Sequence, residues 1–302
     1  MKWSSLSLAL LPLVTCAGCT IEPFTSPVPV PANYTPDGYK PYNTTATTPA
    51  VAATQPATAP AVSQTQPQID DRTVEQALAA TRAHVLNRFG VDNDPQLNEY
   101  LLLVGSLVTI NTPKPDVEYA YVLLNTDQPV SCAVWPKTVC VSRGLLKEMQ
   151  DESELAGVIA REISNLISAR TLKAANLPVP TSAATRPATQ QMSAPSPAAN
   201  RIASRLTDML VKDGLPPDLE QAADLEGAQF AAAANSAPDG FLRLLTRRQP
   251  ARSASSTQPG ALWERIKTLD ANVKIIAKAY PASDARLPAR FETYLKAAPV
   301  KP

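Results

Sequence analysis

The chain has a single histidine, His84, among 302 residues, so a zinc site built on two imidazoles cannot be assembled from it. It also lacks a charge excess. Lys and Arg number 28 against 27 Asp and Glu, a formal charge of +1, and no run of basic residues gives the electrostatic footprint of a nucleic-acid-binding protein. Cysteine is scarce, with four in the chain and two of them, Cys16 and Cys19, close to the start. The apolar run from Leu6 to Val14 is too short to span a bilayer. Proline is what the chain has in quantity. Half of the 30 prolines fall in residues 21–68 and 176–200, mixed with Ala, Thr, Ser and Gln and few large apolar residues, so neither stretch can build a core. The remainder, about 200 residues, is enough for one domain with a sizeable interior.

Lys2, followed by an apolar run with no charge before Glu22, fits a signal peptide over residues 1–18 and an exported chain. The sequence Cys16-Ala17-Gly18-Cys19 resembles the bacterial lipobox, in which small residues precede a cysteine that is acylated and becomes the mature N-terminus. That cysteine would be Cys19. The expected location is the cell envelope, on the periplasmic side, with the membrane as partner through the lipid. Cys16 stands where leucine is usual, and ordinary signal-peptidase cleavage after small residues is the alternative. Residues 19–68 read as a Pro/Thr/Ala-rich disordered linker with polyproline bias, able to hold a domain away from the membrane. The domain itself is expected over 69–298, with a disordered Pro-rich insertion at 176–200.

Within the domain the apolar spacing predicts a helix over 70–89 stopped at Gly90 and a second over 95–110. Tyr119 to Leu124 reads as a strand. Val130 to Ser142 reads as a hairpin turning at Trp135-Pro136-Lys137, which sets Cys132 and Cys140 opposite each other. In an oxidising compartment they could form a cross-strand disulfide; the other reading is two small buried apolar residues. Asp151 and Glu154 in capping-box spacing open a long buried helix over 151–174, with Leu155, Ile159, Ile163 and Leu166 on its apolar face. Further helices are expected near 201–212, 218–235, 238–248, 261–279 and 287–297. The sum is an α+β fold, mostly helical, with a small sheet.

The order of these elements resembles metallopeptidase family 48, which includes CAAX prenyl endopeptidases and periplasmic quality-control peptidases. Ser131-Cys-Ala-Val-Trp-Pro136-Lys137 stands for the family's Asn-Ala-x-x-x-Pro-Gly-Gly hairpin, and Gly144-Leu145-Leu146 matches its Gly-Leu-Leu. Glu154-Leu155-Ala156 leads to Arg161-Glu162-Ile163-Ser164-Asn165, against a family Glu-Leu-Ala followed by His-Glu-Ile-Gly-His. Glu220-Gln-Ala-Ala223-Asp224 matches Glu-x-x-Ala-Asp, and Thr257-Gln258-Pro259 with Arg265-Ile266 resembles a Thr-His-Pro and Arg-Ile pair near the active site. The resemblance implies a zincin-like metallopeptidase fold, with the hairpin sheet packed on the motif-bearing helix. It also implies a zinc held at positions 161, 165 and 220, with Glu162 as general base.

The departures fall on the chemistry. Arg161 and Asn165 stand at the two histidine ligand positions and Gln258 at the third histidine. Arginine offers a metal no acceptor and asparagine is a poor zinc ligand, so no metal and no cofactor is expected. His84, on the first helix, reads as a surface or half-buried residue. Glu162, Gln258 and Arg265 then become remnants of a cleft, with Asp224, Cys132 and Cys140 as structural residues. Two carboxylates remain at the old site, Glu162 and Glu220, with Asp224 one turn beyond; without a cation they repel one another, so the Arg161 guanidinium could take over the cation's structural role, bridging Glu220 and Glu162. The other reading has Arg161 and Glu162 facing solvent. The leading functional expectation is an inert, peptidase-like envelope lipoprotein that binds a protein or peptide or acts as an assembly adaptor. The alternatives are a metalloendopeptidase with an atypical site at Glu162, Glu220 and Asp224, its cofactor zinc if that alternative holds although an oxygen-only set suits Mg or Ca better, and a structural envelope spacer.

Overall fold

Helix α1, Asp71–Phe89, starts where the Asp70 carboxylate accepts from the Thr73 amide at 2.7 Å, and stops at Gly90, whose φ of 70° suits glycine. The computed structural model describes residues 69–180, 194–248 and 261–297. The signal peptide, Cys19, the linker, most of the Pro-rich insertion and Gln258 lie outside the described residues. Helix α2, Pro95–Thr109, is capped by Asp94 and carries proline in its first turn. Three strands follow, β1 (Ala120–Leu124), β2 (Ser131–Val134) and β3 (Thr138–Ser142), in the order β1-β3-β2. β1 runs parallel to β3 and β2 antiparallel to it, with Cys132 opposite Cys140 in the register. Both thiols are buried and unbonded.

Alternation along the strands divides the sheet between two cores. Leu123, Ala133, Val139 and Val141 join the main core with residues of α2 and of α4, Glu152–Ile167. Leu124, Cys132, Val134 and Cys140 join a smaller one with Val85 and Phe89 of α1. Helix α3, Arg143–Glu148, begins at Ser142, whose Oγ accepts from the Leu145 amide at 3.0 Å. The Gly144-Leu145-Leu146 signature therefore sits on a short helix that its six residues were too few to announce by periodicity.

α4 is the central element, buried on nearly every side. Leu155, Ile159 and Ile163 are fully enclosed, each such side chain contributing roughly 1.5–3 kcal/mol by its removal from water. Its N-terminus follows the capping pattern, the Asp151 carboxylate accepting from the Glu154 amide at 3.2 Å. The expectation of one helix through Ala174 is corrected. The chain breaks at Ser168, passes through Ala169 at φ 48° and restarts as α5, Arg170–Ala174. Arg170 supplies the reason: its guanidinium folds back to donate to the Ser164 carbonyl at 2.7 Å and pairs with Glu226 at 2.7 Å, both in a buried setting.

α6, Pro197–Asp208, runs on into a π-helical turn, Met209–Asp213. It starts inside the stretch that composition assigned to the Pro-rich insertion, because Ser196 caps it and Pro197 occupies the first turn, where proline is favoured. α7 (Pro217–Ala233), α8 (Gly240–Arg247), α9 (Ala261–Ala279) and α10 (Pro288–Ala297) complete the fold. α7 crosses α4 closely. A Cβ on Gly227 would lie 2.8 Å from the Arg161 backbone nitrogen and Cα, so only glycine lets the two helices approach this far. No helix among the described residues is long and apolar enough to cross a membrane.

Candidate functional site

Positions 161, 162 and 165 project from the middle of α4, and the close α7 crossing brings Glu220 and Asp224, one turn apart, over the same face. α9 adds Arg265. The Arg161 guanidinium lies at the centre and donates to all three carboxylates. Nη1 reaches Glu162 Oε1 at 2.7 Å and Nε reaches Asp224 Oδ1 at 2.9 Å, while Nη2 binds Glu220 Oε2. Arg265 closes the other side, with Nε on Asp224 Oδ2 and Nη2 on Asp224 Oδ1, each at 2.9 Å, and Nη2 3.0 Å from Glu220 Oε2. The remaining oxygens are also used. Ser131 of β2 donates to Glu162 Oε1 at 2.9 Å, Asn165 Nδ2 to Glu162 Oε2 at 3.3 Å, and the Leu215 amide to Glu220 Oε1 at 2.9 Å. The Phe241 ring faces the Arg161 guanidinium at 5.5 Å.

The cluster is enclosed. The side chain of Arg161 is 12% exposed, Glu162 2% and Asp224 1%. Two guanidinium groups meet three carboxylates, one negative charge in surplus. Burial pushes the Glu220 carboxyl up, but Arg161 and Arg265 outweigh burial and hold it below its ordinary value. Burial alone would weaken the Arg161 cation; Glu162, Glu220 and Asp224 reverse that and raise its pKa. Asn165 shows the cost of the arrangement. Its Oδ1 is buried without a hydrogen-bond partner, because turning the amide over would set an oxygen against the Glu162 carboxylate.

A match to the family model described as Peptidase family M48 extends over residues 92–273. The chain belongs to that family. No curated protein matches it. Within the M48 domain the family's chemistry implies a zinc, and the side chains at the corresponding positions do not fit one. A guanidinium fills the space between the carboxylates and has no lone pair to give, and among the described residues no three His, Cys, Asp or Glu side chains are grouped to hold a metal ion.

The structure thus gathers Arg161, Glu162, Asn165, Glu220, Asp224 and Arg265 at one place, with Arg161 paired to the Glu220 and Glu162 partners expected for it. Gln258 lies outside the described residues. His84 sits half-buried on α1, and Cys132 and Cys140 lie in the hairpin. Asp224 was expected one turn beyond the cluster and instead takes three of its hydrogen bonds. Its i, i+4 spacing from Glu220 on α7 was the available signal. Ser131 was visible as part of the hairpin signature but not as a donor to Glu162, and Phe241 carried no signal.

A second set of ion pairs sits at the start of α4. Arg243 of α8 reaches Asp151 at 2.8 Å and Glu154 at 3.0 Å, and Arg247 reaches Glu154 at 2.7 Å. Burial works against ionisation of Asp151, yet its bonds to Arg243 and Ser153 leave its pKa below the ordinary value.

Proposed function

We propose that this chain is a catalytically inert M48 domain, exported and anchored by lipid at Cys19, which serves in the cell envelope by binding a protein or peptide or as an assembly adaptor. Arg161 does the structural work of the family's metal. The observation that carries this reading is that every oxygen of Glu162, Glu220 and Asp224 already accepts a hydrogen bond from within the domain. A general base must reach a water and take its proton. Glu162 is engaged by Arg161, Ser131 and Asn165 instead. An oxygen-only metal site at the same carboxylates would need these oxygens free, and two guanidinium groups would have to leave. The reading is tested by incubating the purified full chain with unfolded casein, with and without added zinc. No cleavage is expected; chelator-sensitive cleavage overturns it. For the anchor, Cys19→Ala is expected to move the protein from the membrane to the soluble fraction, and an unchanged membrane fraction contradicts lipidation there.

A further inference from the structure

The sheet holds a second chemically distinctive pair, remote from the ion cluster in orientation although adjacent in sequence. Cys132 and Cys140 are directly opposed across β2 and β3. The Ser142 amide donates to the Val130 carbonyl at 2.9 Å, so 130/142 is a hydrogen-bonded pair, and the antiparallel alternation makes 132/140 the next one. Opposed residues at such a pair have Cα atoms about 5.5 Å apart, inside the range of about 4.4–6.8 Å that a disulfide accepts. Both side chains join the apolar cluster of Val85, Phe89, Leu124 and Val134. β2 is an edge strand, bonded within the sheet only to β3, and it also carries Ser131, the donor to Glu162.

We propose that Cys132 and Cys140 are a structural cysteine pair, closed during folding by thiol–disulfide exchange into a cross-strand bridge that staples β2 to β3. One thiolate attacks a sulfur of an external disulfide oxidant, either a small-molecule disulfide or that of a dithiol oxidase; the oxidant's S–S bond breaks, its other sulfur leaves as a thiolate and a mixed disulfide forms. The second thiolate then attacks the protein sulfur of that intermediate and expels the oxidant's remaining sulfur, so the oxidant ends as two thiols, separate for a small-molecule disulfide and on one chain for a dithiol oxidase. Two protein thiols lose two protons and two electrons; the oxidant gains both. In the folded chain the hydrogen bond that the Cys132 thiol donates to Cys140, together with burial, pushes the thiol up and makes it a poor nucleophile, so closure belongs to the stage when the hairpin is still open. Once closed, the bridge fixes the residue next to Ser131, and with it the strand that supports Glu162.

The test uses the full-length chain carrying Cys16→Ser and Cys19→Ser, which leaves two thiols. It is unfolded under reducing conditions, refolded in a glutathione redox buffer, treated with N-ethylmaleimide in denaturant and weighed intact. The expected product has no adduct and a mass about 2 Da below that of the reduced chain. Its thermal midpoint is expected above that of the reduced chain, because a bridge restricts the unfolded state. Two maleimide adducts, or a bridged form that melts no higher than the reduced one, overturn the proposal.

Discussion

Helix α4 carries two arginine–carboxylate clusters, and they are built in opposite senses. At its N-terminus the helix supplies the acids, Asp151 and Glu154, and α8 supplies Arg243 and Arg247. In its middle the helix supplies the principal cation, Arg161, and α7 supplies Glu220 and Asp224. The first cluster belongs where it is by elementary electrostatics, since carboxylates favour a helix N-terminus and cap its free amides. Its arginines are partly in water, 23% and 32% exposed. The second has no such local reason, is more enclosed and is one positive charge short. Under the proposed function, the buried cation among three acids does the neutralising work that a divalent ion does in the family's metal site.

This contrast is broken most sharply by removing the two kinds of cation. Arg161→Ala takes the cation from Glu162 and leaves Arg265 alone against three enclosed carboxylates, and is expected to lower stability in urea unfolding by about 3–5 kcal/mol. A loss below about 1 kcal/mol would put the pair in the solvated class and erase the difference between the clusters. Adding Glu220→Ala to Arg161→Ala is expected to cost less than the sum of the two single changes, with a coupling of roughly 1–3 kcal/mol read from the same unfolding curves. Strict additivity would mean that the two side chains act independently. Arg247→Ala, in the N-terminal cluster, is expected to cost only about 1–2 kcal/mol, because Arg243 still holds Glu154 and part of the charge is in water.

Acid sharpens the comparison by sign. The folded-state pKa of Glu220 lies below its ordinary value of 4.5, so the stability it contributes is fully present above that value and is lost as pH falls through the depressed one. Asp151 behaves likewise from an ordinary value of 3.8. Glu220→Gln is therefore expected to lose less stability than the wild type between pH 7 and pH 3, in urea midpoints measured at each pH. An equal loss would show that Glu220 does not carry the acid response. The smallest effect is expected at the solvated pair Lys274–Asp270 on α9, at 2.7 Å and 70% and 52% exposed, where Lys274→Ala should cost under about 0.5 kcal/mol.

The two clusters also differ in how far they were legible in the sequence. The cap at Asp151 and the helix behind it follow from residue types and a spacing of three, and helices α1, α2 and α7–α10 follow from periodicity. Ala169 was not legible, since alanine gives no sign of a left-handed turn; the break depends on Arg170 finding Glu226 across the α4–α7 interface. The same interface decides the site. Arg161, Glu162 and Glu220 could be placed together through the family pattern, but the engagement of Asp224 by two guanidinium groups depends on the depth of the helix crossing, which Gly227 permits and no linear spacing encodes. Ser131 and Phe241 reach the cluster from other elements, and only the assembled fold shows what they touch.

The central claim is that a guanidinium has taken the metal's place in this M48 domain, and its most direct test is the zinc content of the full chain. The protein is produced in zinc-supplemented medium, purified without chelator and measured by elemental analysis. The account predicts no stoichiometric zinc, and Arg161→Ala, which empties the centre without adding a histidine, is predicted to bind none either. One zinc per wild-type chain would contradict it.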